Sequence, residues 1–170
     1  MRIKSLATGI AAICLLGTMA ACSGVAGQNA TGTTNAPRPS DASITASSTV
    51  NAFSLHVGDC LNSASINGDF SEVPGVPCNE AHDSEVTYIY DLTDASFDAD
   101  TINAEATTQC TQALSDYVGP NYASVTPGIG MSYFIPTSDS WNSGDREVDC
   151  LAMTTSNNPD LTSSVKGTGN

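Results

Sequence analysis

Hydrophobic and polar positions change period once in the middle of the chain, and that change predicts its two clearest elements. From Glu85 to Leu92, Val86, Tyr88 and Tyr90 fall on one side and Thr87, Ile89 and Asp91 on the other, the two-residue alternation of a half-buried strand. From Asp98 to Val118 the apolar positions Ile102, Ala106, Cys110, Ala113, Leu114 and Tyr117 recur at steps of three and four, one buried stripe of an amphipathic helix. Asp98, Asp100 or Thr101 caps its start, and Gly119-Pro120 stops it.

The flanks carry weaker patterns. Phe53, Leu55 and Val57 alternate as a strand would, and Gly58-Asp59 turns the chain into Cys60-Leu61. Asn67-Gly68-Asp69 reads as a turn. The stretch from Val73 to Cys78 contains Pro74 and Pro77, which argue against a central strand. Met131 to Ile135 is a further strand ended by Pro136, and Thr137 to Ser140 begins a single helical turn near Trp141. Val148, Cys150 and Ala152 alternate with Asp149, Leu151 and Met153 in a closing strand. One main helix on a short, mostly antiparallel sheet of three to five strands is the α+β class.

The ends differ in kind. Residues 1–21 have the layout of a secretory leader: Arg2 and Lys4, an apolar run from Leu6 to Leu16, then Met19-Ala20-Ala21 directly before Cys22. The run is shorter than the roughly 20 residues a bilayer span needs. Its junction resembles the lipobox of bacterial lipoproteins, whose Cys, here Cys22, carries two acyl chains, enough for stable anchoring. Residues 22–52 are rich in Ser, Thr and Ala and read as a disordered tether. The folded domain is expected over 53–153, with a flexible tail at 154–170.

Charge narrows the function classes. The formal net charge is −13. Such a field repels phosphate backbones, which excludes nucleic acid as a partner and leaves the lipid as the route to the membrane. Outside the cytoplasm thiols oxidise. Without Cys14 and Cys22, four cysteines remain: Cys60, Cys78, Cys110 and Cys150. Four allow three pairings, and spacing alone does not choose among them. The unnested one joins Cys60 to Cys78 and Cys110 to Cys150, contributing roughly 3 and 4 kcal/mol.

Candidate chemistry is sparse. Arg146 is the one cationic side chain between Arg38 and Lys166, and Glu85 or Asp59 is expected to accept its guanidinium as a structural pair. His56, Cys60, Cys78 and His82 form a two-Cys, two-His set that would suit tetrahedral zinc, in competition with the first disulfide. His82 and Glu85, with Asp83, admit an acid–base reading as an extracytoplasmic hydrolase. No nucleophile elbow, zinc-protease helix or phosphate loop accompanies them, and His82 is expected instead to bond a turn carbonyl. Asp98, Asp100 and Glu105 fail the calcium-loop template, since Ile102 and Gln109 occupy ligand positions. Trp141, Tyr133 and Phe134 are either core or the lining of a groove. No cofactor is expected.

Val57-Gly58-Asp59-Cys60-Leu61, Val76-Pro77-Cys78, His82-Asp83-Ser84-Glu85-Val86, Cys110 on a helix ending Tyr117-Val118-Gly119, Tyr133-Phe134-Ile135-Pro136, and Trp141 through Gly144-Asp145-Arg146 to Cys150 occur in this order. Together they resemble the septum formation domain, a family of extracytoplasmic, lipid- or membrane-anchored domains of Gram-positive bacteria. The resemblance covers about Phe53 to Met153 and implies a place in division or envelope growth with no attached reaction. On the reading of the residues themselves, Asp59, His82, Glu85, Trp141, Asp145 and Arg146 are expected to be structural. The expectation is a lipid-anchored, non-catalytic module on the outer face of the cell membrane that binds an envelope or division protein or a wall component.

Overall fold

The computed structural model describes residues 43–125, 128–155 and 160–170; the expected leader, Cys22 and most of the tether lie outside them. Among the described residues no helix is long and apolar enough to cross a membrane. The strands are β1 (Ser48–Asn51), β2 (Cys60–Leu61), β3 (Glu72–Val76), β4 (Ser84–Asp91), β5 (Ile129–Phe134) and β6 (Glu147–Thr154). The helices are α1 (Ala99–Val118), α2 (Tyr122–Val125) and α3 (Ser138–Asn142). The strands form one six-stranded sheet in the order β1-β3-β2-β4-β6-β5, and every neighbouring pair is antiparallel. This is the expected α+β architecture with one strand more than the sequence pattern suggests.

Helix α1 begins where its cap predicts. The Asp98 carboxylate accepts the N–H groups of Asp100 at 3.0 Å and Thr101 at 3.1 Å, satisfying two of the donors that a helix start leaves open. Its stripe buries Ile102, Ala106, Cys110, Ala113 and Leu114 against Trp141, Val148, Cys150 and Ala152. The opposite sheet face carries a second core of Leu55, Leu61, Val73, Val86 and Leu151, with Ile89, Phe70 and Phe134 at its margin. Alternation along β6 supplies both cores, so this strand is buried on its two faces. Cystines join Cys60 to Cys78 and Cys110 to Cys150, the second pinning α1 to β6.

Several expectations are corrected. The domain starts before residue 53: β1 pairs with β3, and Ile44, Val50 and Ala52 are buried. Gly75 makes room for them, since a Cβ there would meet the Ile44 side chain at 2.6 Å and Val50 at 3.2 Å. Phe53 to Val57 is not a strand. Asn51 caps a 3-10 turn over Ala52–Ser54, leaving Phe53 and Val57 exposed and only Leu55 buried. β3 is an interior strand despite Pro74, whose carbonyl accepts the Asn62 N–H at 2.9 Å. Nitrogen and carbonyl of a strand residue face the same neighbour, so Pro74 lies opposite Asn62 just past the two-residue β2, and the one bond it forgoes falls where that short strand ends.

In β4 the register shifts between Val86 and Tyr88. Thr87 is the extra residue, its hydroxyl donating to the Cys150 carbonyl at 3.1 Å, so Val86 joins Ile89 in one core while Tyr90 joins the other. The tail is not loose over 160–170. Leu161 and His82 exchange backbone hydrogen bonds, Val165 is buried, and the N–H groups of Gly167 and Gly169 donate to the Tyr117 and Val118 carbonyls at the end of α1. Gly119, at φ 116°, lies so close that a Cβ there would strike the Gly169 backbone at 2.5 Å.

Candidate functional site

The residues singled out around the first cystine form a sealed polar seam. His82 and Glu85 are fully buried. His82 Nδ1 lies 2.8 Å from the Glu80 carbonyl, a turn contact, while Nε2 has no hydrogen-bond partner among the described residues. Glu85 accepts the Tyr117 hydroxyl at 2.6 Å, the Ser164 hydroxyl at 2.6 Å and the Val165 N–H at 2.7 Å. Burial and this bond to Glu85 push the Tyr117 phenol up, so it stays protonated and donates. Asp83 accepts the N–H groups of Ser63 and Ala64, and Asp59 accepts that of His56. These acids hold turns and the tail, and neither His82 nor Glu85 opens onto a cleft.

The zinc set is overturned, because Cys60 and Cys78 are bonded to each other and offer no thiolate. Ligand atoms of Cys60, His82 and Glu85 lie within 4.8 Å of one another, but the sulfur is a cystine sulfur and the carboxylate already meets three donors. That donor set does not fit a cation.

The expected ion pair of Arg146 with Glu85 or Asp59 is also overturned. The Arg146 guanidinium lies 3.6 Å from the centre of the Trp141 ring, and Nη1 donates to the Trp141 carbonyl at 3.0 Å and the Asp145 carbonyl at 2.6 Å. Thr137 and Ser140 form a reciprocal cap on α3, Trp141 is buried beside Phe97, and Gly144 takes φ 102° to turn the chain. The Asp145 carboxylate then accepts the Glu147 N–H at 3.1 Å. The Trp-x-x-Gly-Asp-Arg run is thus a self-contained corner that feeds the chain into β6.

What that corner delivers is a column of acids. On the face of β6 away from α1, Leu151, Asp149 and Glu147 follow one another from the second core outward. Asp149 is paired in register with Ile89 on one side and Phe134 on the other. It is 5% exposed, and its Oδ1 has no hydrogen-bond partner among the described residues. Burial, then Glu147, Asp145 and Asp59, push its carboxyl up to about 8. Glu147 is raised as well, by burial and by Asp91 and Asp145.

Asp149, Glu147 and Asp145 line a cleft of about 530 Å³, walled by Phe53, Phe70 and Phe134 and by the segment leading into α3. Phe70 and Phe134 meet edge to face with ring centroids 4.8 Å apart. Among the described residues four acids line this cleft, Asp69 being the fourth, and no basic side chain does. Tyr133 and Phe134 belong to the lining; Trp141 does not, being core beside the second cystine. Sequence reasoning missed Asp149, Glu147, Phe53 and Phe70. The available signal was an acid set between Val148 and Cys150, on the strand face that Leu151 buries.

The family profile described as septum formation matches residues 20–150. No curated protein and no solved structure matches the chain.

Proposed function

The chain belongs to the septum formation family, whose name points to a role in cell division, and from that premise we propose that it is a non-catalytic binding module held at the outer face of the cell membrane. Cys22 carries the anchoring lipid, the polar stretch after it spaces the domain from the bilayer, and the partner is a division or envelope protein. One observation carries the binding reading: the cleft beside Asp149 is concave, walled by aromatics and supplied with a few converging polar groups. The burial of His82 and Glu85 supports a module without chemistry of its own at those residues.

A photo-crosslinking amino acid in place of Phe53, at the cleft rim, is expected to capture a discrete envelope or division protein in living cells. The same probe at Thr108, exposed on α1, is expected to capture none. Equal capture at both positions, or capture at neither, overturns the reading. Cys22→Ser is expected to move the protein from the membrane fraction to the soluble fraction; retention in the membrane refutes the lipid anchor.

A further inference from the structure

We infer that the cleft seats a basic side chain of a protein partner, a lysine ammonium or arginine guanidinium, with Asp149 meeting the cation at the floor and Phe70 and Phe134 packing along its aliphatic stem. This rests on the binding reading above and names what is bound. Among the described residues four acids and no base line the space, so its charge complement is cationic. Asp149 lines it, and its buried Oδ1 has no hydrogen-bond partner among the described residues. Such an atom is costly in the free protein and is satisfied when a donor enters. Among the described residues the two basic side chains are engaged elsewhere: Arg146 stacks on Trp141, and Lys166 lies over Tyr117.

Aromatic walls fit a side chain with an apolar stem better than a hydrated inorganic ion, since they cover methylenes while the head reaches the carboxylate. Among the described residues, the charged groups that line the cleft or act on Asp149 and Glu147 are acidic, and Tyr133 adds a phenol from β5. Asp145 and Glu147 come from its own strand and corner, Asp91 from β4 beside Glu147, Asp69 from the loop before β3, and Asp59 from the turn before β2. β5 contributes the uncharged Phe134. Below about pH 8 Asp149 is protonated, so a cation that enters displaces that proton to water and leaves a carboxylate–cation pair.

The test titrates the full chain, followed by NMR, with acetyl-Ala-Lys-Tyr amide and with its norleucine counterpart, which keeps the stem and lacks the charge. The lysine peptide is expected to shift the resonances of Phe70, Phe134 and Asp149 and to bind at least about tenfold tighter than the norleucine peptide. Its affinity is expected to rise about tenfold from pH 6 to pH 7 and to level off above pH 8, because one proton is released. Asp149→Asn, isosteric and neutral, is expected to remove that slope and to weaken binding about tenfold or more at pH 8. Glu147→Gln is expected to weaken binding a few-fold while keeping the slope.

Equal binding of the two peptides, a flat pH profile, or no lysine-peptide binding overturns the inference. So do the same resonance shifts produced by calcium chloride alone and reversed by a chelator. If the probe at Phe53 still captures its partner in the Asp149→Asn background, this inference fails and the binding module stands. If the lysine peptide binds as described but the probe captures nothing, the binding module fails instead.

Discussion

Replacing Asp149 by Asn isolates one carboxyl whose contribution to stability has a definite sign. Burial and neighbouring acids lift it from an ordinary 3.8 to about 8. A raised acid favours the folded state while it is protonated. Its contribution is therefore complete below about pH 4 and is lost progressively until pH reaches about 8. Within that window each pH unit removes about 1.4 kcal/mol. Asn titrates in neither state, and Glu147 is common to both proteins, so the difference between them is set by Asp149. From pH 5 to pH 7 the variant is expected to gain about 3 kcal/mol relative to the parent. With a urea slope of about 2 kcal/mol per molar, that moves the difference between their unfolding midpoints by about 1.5 M. Urea unfolding at pH 5, 6, 7 and 8 and fixed ionic strength measures it. Parallel midpoint profiles would falsify the reasoning, because they would mean that Asp149 titrates alike folded and unfolded. A gain of the expected size would show that the chain keeps an acid that destabilises it near neutral pH, as expected of a site whose ligand supplies the missing donor.

Ending the chain at Thr155 removes Ser164 and Val165, two of the three donors to buried Glu85; a loss of about 2 to 4 kcal/mol is expected in urea unfolding, and an unchanged midpoint would show that the tail only drapes over the surface. Replacing Cys110 and Cys150 together by Ala releases the cross-link between α1 and β6 and is expected to lose about 4 kcal/mol, the chain-entropy value for a loop of that length, which a urea midpoint unchanged from the parent would refute. Arg146→Ala breaks a stacking contact and two carbonyl bonds rather than a buried ion pair. About 1 kcal/mol is expected, with a change in Trp141 fluorescence; a loss above about 3 kcal/mol would reinstate a desolvated partner for the guanidinium.

The sequence alone determined the elements whose signals are local. The α1 stripe, its start among Asp98, Asp100 and Thr101 and its Gly119 stop are set by residues three or four positions apart, and so is the helical turn that Thr137 to Ser140 begin. The alternation of β6 likewise announced a closing strand, because side-chain direction in a strand depends only on parity. The tertiary structure decided everything that depends on what lies across the sheet. Two apolar residues in a polar stretch gave no periodic sign that Ile44 and Val50 would close over Gly75, nor did the polar tail show that its N–H groups would satisfy Glu85 and the end of α1. Arg146 bonded within its own corner, where a planar aromatic and two carbonyls lay within reach, although the scarcity of basic residues suggested a distant carboxylate. Asp149 became a site residue through its neighbours in register, Ile89 and Phe134, which withhold solvent and donors from it. Burial and partnership are properties of chain segments brought together from far apart, and no short window of residues contains them.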